Sequence, residues 1–262
     1  MTHAFIDSLD LEGYDLLTDG GAVQGLSAGF RHAIISVVST YTAEFSAAIQ
    51  DYAKAIYGLQ ESLEGPVSTT AIAERLGVTP ASASGMVRKL HELGLVEHAP
   101  YKGVALTEKG RCVALETIRH HRLLETYLAD SLGVPWDRVH AEAEVLEHVL
   151  SEDLEALIAA KLGHPTRDPH GDPIPTAELE LPVEPSRCLA SVEVGACGVL
   201  VRVSDAEPEM LRYLAERGIA PGDAFEVVER HPFGGPLMVR FANGIHPLGT
   251  GLAESMSVEL RP

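Results

Sequence analysis

The segment from Val67 to Leu90 constrains this chain most, because its punctuation permits two short helices and little else. Ser68 and Thr69 stand where a hydroxyl caps a helix start. Gly77 follows Ala71-Ile-Ala-Glu-Arg-Leu76 and stops that helix, since glycine takes the left-handed conformation at little cost. Thr79 then caps a second helix, with Pro80 at the first position, the place where a missing N–H costs nothing. Two helices joined by so tight a turn form a helix-turn-helix. Upstream, Ile49, Tyr52, Ala53, Ile56 and Leu59 recur at helical spacing up to Leu63, and Gly65-Pro66 ends the run. Downstream, Leu95–His98 and Val104–Thr107 flank Ala99-Pro-Tyr-Lys-Gly103, which predicts a β-hairpin and turns a three-helix core into a winged helix.

A winged helix raises the question of nucleic acid, and a net charge of −18 argues against it. The objection is met locally. Thr79, Ser82 and Ser84 face outward from the second helix and are small enough for a major groove, where they read bases weakly. Arg88, Lys89 and Lys102, with Lys109 and Arg111 after the wing, are candidate phosphate contacts, and the acids gather elsewhere.

Residues 108 to about 163 read as helices interrupted at Gly133-Val-Pro-Trp136, and two stretches in them carry chemistry. Glu144, Glu147 and His148 are spaced i, i+3, i+4, and His121 and Glu125 are four apart, so each set shares a helix face. Leucines and valines interleave with them. Acids and imidazoles on partly buried helices need a partner, and a borderline-to-hard divalent cation satisfies both. Cys112, Cys188 and Cys197 are too scattered for a thiolate site or a disulfide framework. The apolar residues Leu128, Leu132, Val139, Leu146, Leu150, Leu154 and Leu157 exceed what one small bundle covers, which predicts a homodimer. Pro165–Pro185 reads as a proline-rich loop or linker. Beyond it, β-branched runs at 198–203, 224–228, 237–241 and 257–260, with one helix at 208–217, predict a small barrel whose closure removes sheet edges.

These parts in this order resemble the diphtheria-toxin-repressor family of metal-dependent transcriptional repressors. The resemblance runs from about residue 48 to the C-terminus and rests on His121-Arg-Leu-Leu-Glu125, Val145-Leu-Glu-His148 and Asp168-Pro-His-Gly-Asp-Pro-Ile-Pro175. It implies a primary metal site of Asp51, Glu144, Glu147 and His148. A second site would hold His121, Glu125 and His140, to which the barrel adds Asp205 or Glu207. Where iron-sensing members carry Met and Cys, this chain has Asp51 and Glu144, as in the manganese-sensing branch. A helix glutamate used by some short manganese regulators falls at Lys54, so two separated sites are expected rather than a binuclear one.

The expected architecture is mainly α with a β component. It comprises a flexible arm at 1–43, rich in Gly, Asp and Ser over Leu16–Gly29 and with a short strand or a helix extension at His32–Phe45, and a winged helix-turn-helix at 44–113. A helical metal-binding and dimerisation domain with its linker follows at 114–183, then an SH3-like barrel at 184–262. The expected function is Mn(II)-activated repression of manganese uptake or homeostasis genes, with Fe(II) sensing as the alternative and Co(II) or Zn(II) as possible substitutes. The expected partners are double-stranded operator DNA and a second copy of the chain. A metallohydrolase is disfavoured, because Glu144 stands where a zincin motif needs its first histidine and no nucleophile motif or phosphate loop occurs. A sensor of an organic ligand would leave the acid–imidazole set unexplained, so no organic cofactor is expected. No apolar run reaches the ~20 residues of a membrane helix and no signal peptide opens the chain, so a cytoplasmic protein is expected.

Overall fold

In the computed structural model, residues 45–63, 65–99, 103–182 and 185–261 are described. The expected arm at 1–43 and Lys102 lie outside them.

Helix α1 (Ala47–Leu63) buries Ile49, Tyr52, Ala53 and Ile56 on one face, as its periodicity predicts. Ser68 Oγ accepts the Ala71 N–H to open α2 (Thr69–Arg75), and Thr79 Oγ1 accepts the Ser82 N–H to open α3 (Pro80–Glu92). Gly77 between them has φ +63°. Strand β1 (Val96–Ala99) pairs antiparallel with β2 (Gly103–Leu106), and a bridge from Val67 to Val104 seats this wing on the helices. Ile56, Ile72, Val87, Leu90, Leu95 and Val104 form the first core.

Helix α4 (Glu108–Leu132) has 25 residues and so spans about 37 Å. Its N-terminal half packs against α1, and a Cβ at Gly110 would fall 1.9 Å from the Leu95 carbonyl oxygen. Only glycine allows the wing segment to lie so close to this helix. The other half packs against α5 (Trp136–Leu146) and α6 (Glu152–Lys161). One helix therefore runs from the DNA-binding half into the metal-binding half. Gly133, at φ +68°, closes it where the sequence predicts a break.

One expectation changes here. Helix α5 ends at Leu146, so Glu147 and His148 stand in the turn that follows it rather than on the helix. Over 165–182 the proline-rich segment is a loop, as expected, and its Leu179 and Leu181 pack onto the first core. Trp136 packs toward the barrel core and stacks on His170.

The C-terminal unit contains β3 (Arg187–Cys188), β4 (Cys197–Val203), α7 (Pro208–Ala215), β5 (Ala224–Arg230), β6 (Leu237–Phe241), β7 (Gly244–Leu248), α8 (Thr250–Glu254) and β8 (Met256–Leu260). The strands form one antiparallel sheet in the order β3-β8-β4-β5-β6-β7, with irregularities at Leu200/Arg202 and Val227/Glu229. Leu200, Phe225, Val239, Leu248 and Val258 meet in a second core, so the sheet curls around it. The curl is barrel-like, but among the described residues no ladder joins β3 to β7, and hydrogen-bonded closure is not what protects the edges. One edge strand is two residues long and the other carries Pro247, and both devices discourage pairing with another chain.

Candidate metal centre and DNA-binding face

Helix α1, the turn after α5 and helix α4 bring the first set of ligand candidates together. Asp51 Oδ1 lies 3.1 Å from His148 Nε2, which in turn lies 3.5 Å from Glu147 Oε1. The Nδ1–H of His148 donates to Gln50 Oε1 at 2.6 Å, which leaves Nε2 turned toward the two carboxylates. That arrangement is the outer hydrogen bond a metal-binding histidine requires. Glu144 does not join this set. It groups with His121 and Glu147, and Lys54 Nζ bonds both glutamates, at 2.9 Å and 2.6 Å. Burial works against the charge on Lys54, but Glu147 and Glu144 outweigh it and hold its pKa above the ordinary lysine value.

The second set converges on Glu125, whose side chain is fully buried. His121 Nε2 is 3.0 Å and His140 Nδ1 3.2 Å from Glu125 Oε1, and Asp205 Oδ2 is 2.9 Å from His140 Nδ1. Of the two barrel residues the resemblance offers, Asp205 reaches the site, whereas Glu207 is an exposed residue at the start of α7. Asp205 and Glu125 raise the His140 pKa to about 10. Burial would raise the pKa of Asp205, yet His140 draws it down to about 2.

His170 belongs to this second set and escaped sequence reading. Its Nε2–H donates to the Trp136 carbonyl at 2.7 Å, which commits Nδ1 to face Glu125 Oε2 at 3.7 Å. Neither His170 Nδ1 nor Glu125 Oε2 has a hydrogen-bond partner, though both are buried. Two orphaned acceptors aimed at one point fit a divalent cation, and their chemistry, imidazole and carboxylate, fits a harder metal than a thiolate set would. The available signal was the His within Asp168-Pro-His-Gly, a motif that reads as turn chemistry until its backbone is placed.

The loop holding His170 is itself held. Asp168 Oδ1 accepts the N–H groups of His170 and Asp172, each at 2.9 Å. Arg122 donates to the Pro173 carbonyl and Arg119 to the Pro175 carbonyl, both from α4. The His170 carbonyl accepts from Val203 of β4, and a Cβ at Gly171 would fall 1.9 Å from the Val201 oxygen. The barrel is thereby fastened to the metal set. A further cluster, Glu116, His120 and Glu152, neutralises itself: burial opposes the charge on His120, but Glu152 and Glu155 raise its pKa to about 10.

On the DNA-binding side, Thr79 and Ser82 are exposed at the start of α3, and Arg88 and Lys89 are exposed in its second half. Ser84 departs from expectation. It is half-buried and its hydroxyl donates to the Pro80 carbonyl at 2.8 Å, so it faces its own helix. Lys109 donates to the Leu93 carbonyl and Arg111 lies over the Tyr57 ring, so both already have partners within the chain.

Residues 44–104 match the iron dependent repressor N-terminal DNA binding domain, and 107–176 match the iron dependent repressor metal binding and dimerisation domain. Residues 187–260 match the FeoA domain. The iron-dependent repressor IdeR of Mycobacterium tuberculosis (strain H37Rv) is 36% identical over 200 residues, covering 72% of this chain and 86% of that protein. The chain belongs to the iron-dependent repressor family, which includes the diphtheria toxin repressor. It is a metal-dependent DNA-binding repressor by class, not an enzyme. Among solved structures, a manganese-dependent transcriptional repressor in complex with manganese is 47% identical, with a TM-score of 0.76, and covers 81% of this chain and 100% of its own. ScaR with bound Zn2+ is 28% identical, with a TM-score of 0.67, and covers 80% and 98%. No helix among the described residues is long and apolar enough to cross a membrane.

Proposed function

We propose that this protein is a Mn(II)-activated repressor of manganese uptake or homeostasis genes, acting in the cytoplasm as a homodimer on operator DNA. The observation that carries the metal assignment is the donor chemistry. Every candidate ligand is a carboxylate or an imidazole, and no cysteine stands among them. Affinity alone would favour Zn(II), so selectivity rests on coordination number and on metal supply.

When bound, the ion supplies positive charge that lets Asp51, Glu147 and His148 stand together. Asp51 lies on α1, in the DNA-binding half, and the other two lie on the turn after α5. Their convergence fixes the position of one half against the other, and this is how occupancy would become DNA-binding geometry. His121, Glu125, His140, His170 and Asp205 would hold a second ion that fastens the barrel. Thr79 and Ser82 would approach base edges, and Arg88 and Lys89, with Lys102, would contact phosphate. Leu132, Val149, Leu154 and Leu157 are exposed around an apolar hollow of about 560 Å³, which suits the partner protomer.

The test is fluorescence anisotropy on the chain's own promoter DNA, with free Mn(II), Fe(II), Co(II) and Zn(II) each buffered. Activation by Mn(II) at lower free concentration than Fe(II) supports the reading. The reverse order would favour iron sensing, which the 36% identity to IdeR keeps as the second reading.

A further inference from the structure

We infer that Glu116, His120, Glu152 and Glu155 form a third divalent-cation site. It would tie helix α4 to the start of α6, and it shares no side chain with the two sets of ligand candidates described above.

Glu116 and His120 are four residues apart on α4, so they share a face of the helix, and both are buried. The His120 side chain is 7% exposed. Its Nδ1–H donates to the Glu147 carbonyl at 3.2 Å, which turns Nε2 toward α6. There Glu155 Oε2 lies 3.0 Å away and Glu152 Oε1 3.7 Å away. Neither is aligned for a hydrogen bond, and Nε2 is a buried polar atom without such a partner. Glu116, His120 and Glu152 offer ligand atoms within 4.8 Å of one another. Adjacent ligands of an octahedral ion with bonds of about 2.1 Å stand about 3 Å apart. His120 Nε2 and Glu155 Oε2 are already at that spacing.

The charges suit one ion. Glu116, Glu152 and Glu155 carry three negative charges when ionised. Arg119 donates its Nε–H to Glu155 Oε1 at 2.7 Å and offsets one of them, which leaves Oε2 facing His120. The two that remain match a divalent cation. Without an ion, a proton on His120 meets part of that charge; a bound ion takes the proton's place and meets all of it. Imidazole and carboxylate donors without a thiolate suit a borderline-to-hard metal, so Mn(II) is the probe of choice. Helix α6 also carries the exposed Leu154 and Leu157, so the ion would brace the element that bears this apolar face.

The test counts ions on the full-length chain. Wild type, Glu116→Gln and His120→Arg, each with and without Asp51→Ala, are dialysed against micromolar buffered Mn(II) and analysed for bound metal. Both variants should bind one Mn(II) fewer per protomer than their parent, whether or not Asp51 is present. His120→Arg places a fixed cation among the same carboxylates, so the metal-free protein should stay folded, and thermal melting verifies this for every variant. Glu152 is exposed, so Glu152→Gln stands in for any variant that does not fold, and it should weaken this ion by roughly tenfold or more. An unchanged count in either Glu116→Gln or His120→Arg overturns the inference. A loss that disappears once Asp51 is replaced also overturns it, because His120 would then act only through the Glu147 carbonyl on the neighbouring set. If Asp51→Ala itself removes no ion, the proposed Asp51 locus falls alone and this site stands.

Discussion

In the proposed reading Asp51 and His170 do different work, and single substitutions separate them. Asp51 is the ligand candidate contributed by the DNA-binding half, so its contact with metal exists only when the two halves are in register. Moving an equilibrium from 1:99 to 99:1 takes about 5.5 kcal/mol of differential binding, and metal that binds both arrangements equally moves nothing. Asp51→Ala should therefore abolish most metal-activated DNA binding while the set around Glu125 still takes up metal. His170→Ala should do the converse, weakening that second set by more than the ~10–100-fold typical of outer-shell changes. Calorimetry for metal and anisotropy for DNA on each variant check both, and wild-type activation in Asp51→Ala would reduce Asp51 to a helix-start charge. Cys112 offers a separate check on packing. Burial, with Glu108 and Glu116 nearby, raises its thiol to about 11, so at pH 8 it is protonated and a poor nucleophile. Iodoacetamide should label the exposed Cys188 and Cys197 well before Cys112, as mass spectrometry would read, and equal rates would show that α4 is not packed as described.

At the scale of elements, the start of α3 and the loop at 168–175 carry the sharpest consequences. Thr79 Oγ1 accepts the Ser82 N–H, so Thr79 is a cap as well as a candidate DNA contact. Thr79→Ala should cost about 1 kcal/mol of stability, read from denaturant unfolding, and relax base preference at one operator position. A loss alike on all sequences would leave Thr79 a cap and not a base contact. In the loop, Gly171 has φ +89° and no room for a methyl group beside the Val201 oxygen. Gly171→Ala should destabilise the protein by roughly 1–3 kcal/mol or more. Because the same loop positions His170, metal at the second set should weaken in parallel, and full retention of metal affinity would show that the loop and the site are independent. The end of α5 gives the clearest limit of periodicity. Glu144, Glu147 and His148 keep helical spacing in sequence, yet the helix stops at Leu146, and Glu144 pairs with Lys54 while the other two turn toward Asp51.

For the whole molecule, the unpaired apolar surface decides the assembly. Leu128 and Val139, named from sequence among the excess apolar residues, are buried inside one protomer. Leu132, Val149, Leu154 and Leu157 are exposed and remain for a partner. Leu157→Asp places a charge in the middle of that face and should give a monomer at micromolar concentration by light scattering. Affinity for a two-half-site operator should fall with it, since a monomer engages only one half-site. A Leu157→Asp dimer of wild-type stability would move the interface elsewhere.

The sequence by itself determined the elements and the chemistry they carry. Capping by Ser68 and Thr79, stops at Gly77 and Gly133, and a 3.6-residue apolar period are local signals, fixed by backbone geometry within a few residues. They were sufficient for the helix-turn-helix, the wing and the long α4. The acid–imidazole spacing likewise pointed to a divalent metal without any fold. β7 was not legible, because Gly244 and Pro247 break the strand pattern and only an edge position makes them tolerable. The tertiary structure alone decided which ligand candidates meet. Asp51 and His148, Asp205 and His140, and His170 and Glu125 are far apart in sequence, and no local rule relates their directions. It also decided that Ser84 turns back on its helix and that Lys54 stands among the carboxylates. Side-chain direction depends on what packs beside it, and that is settled only when distant segments close on one another.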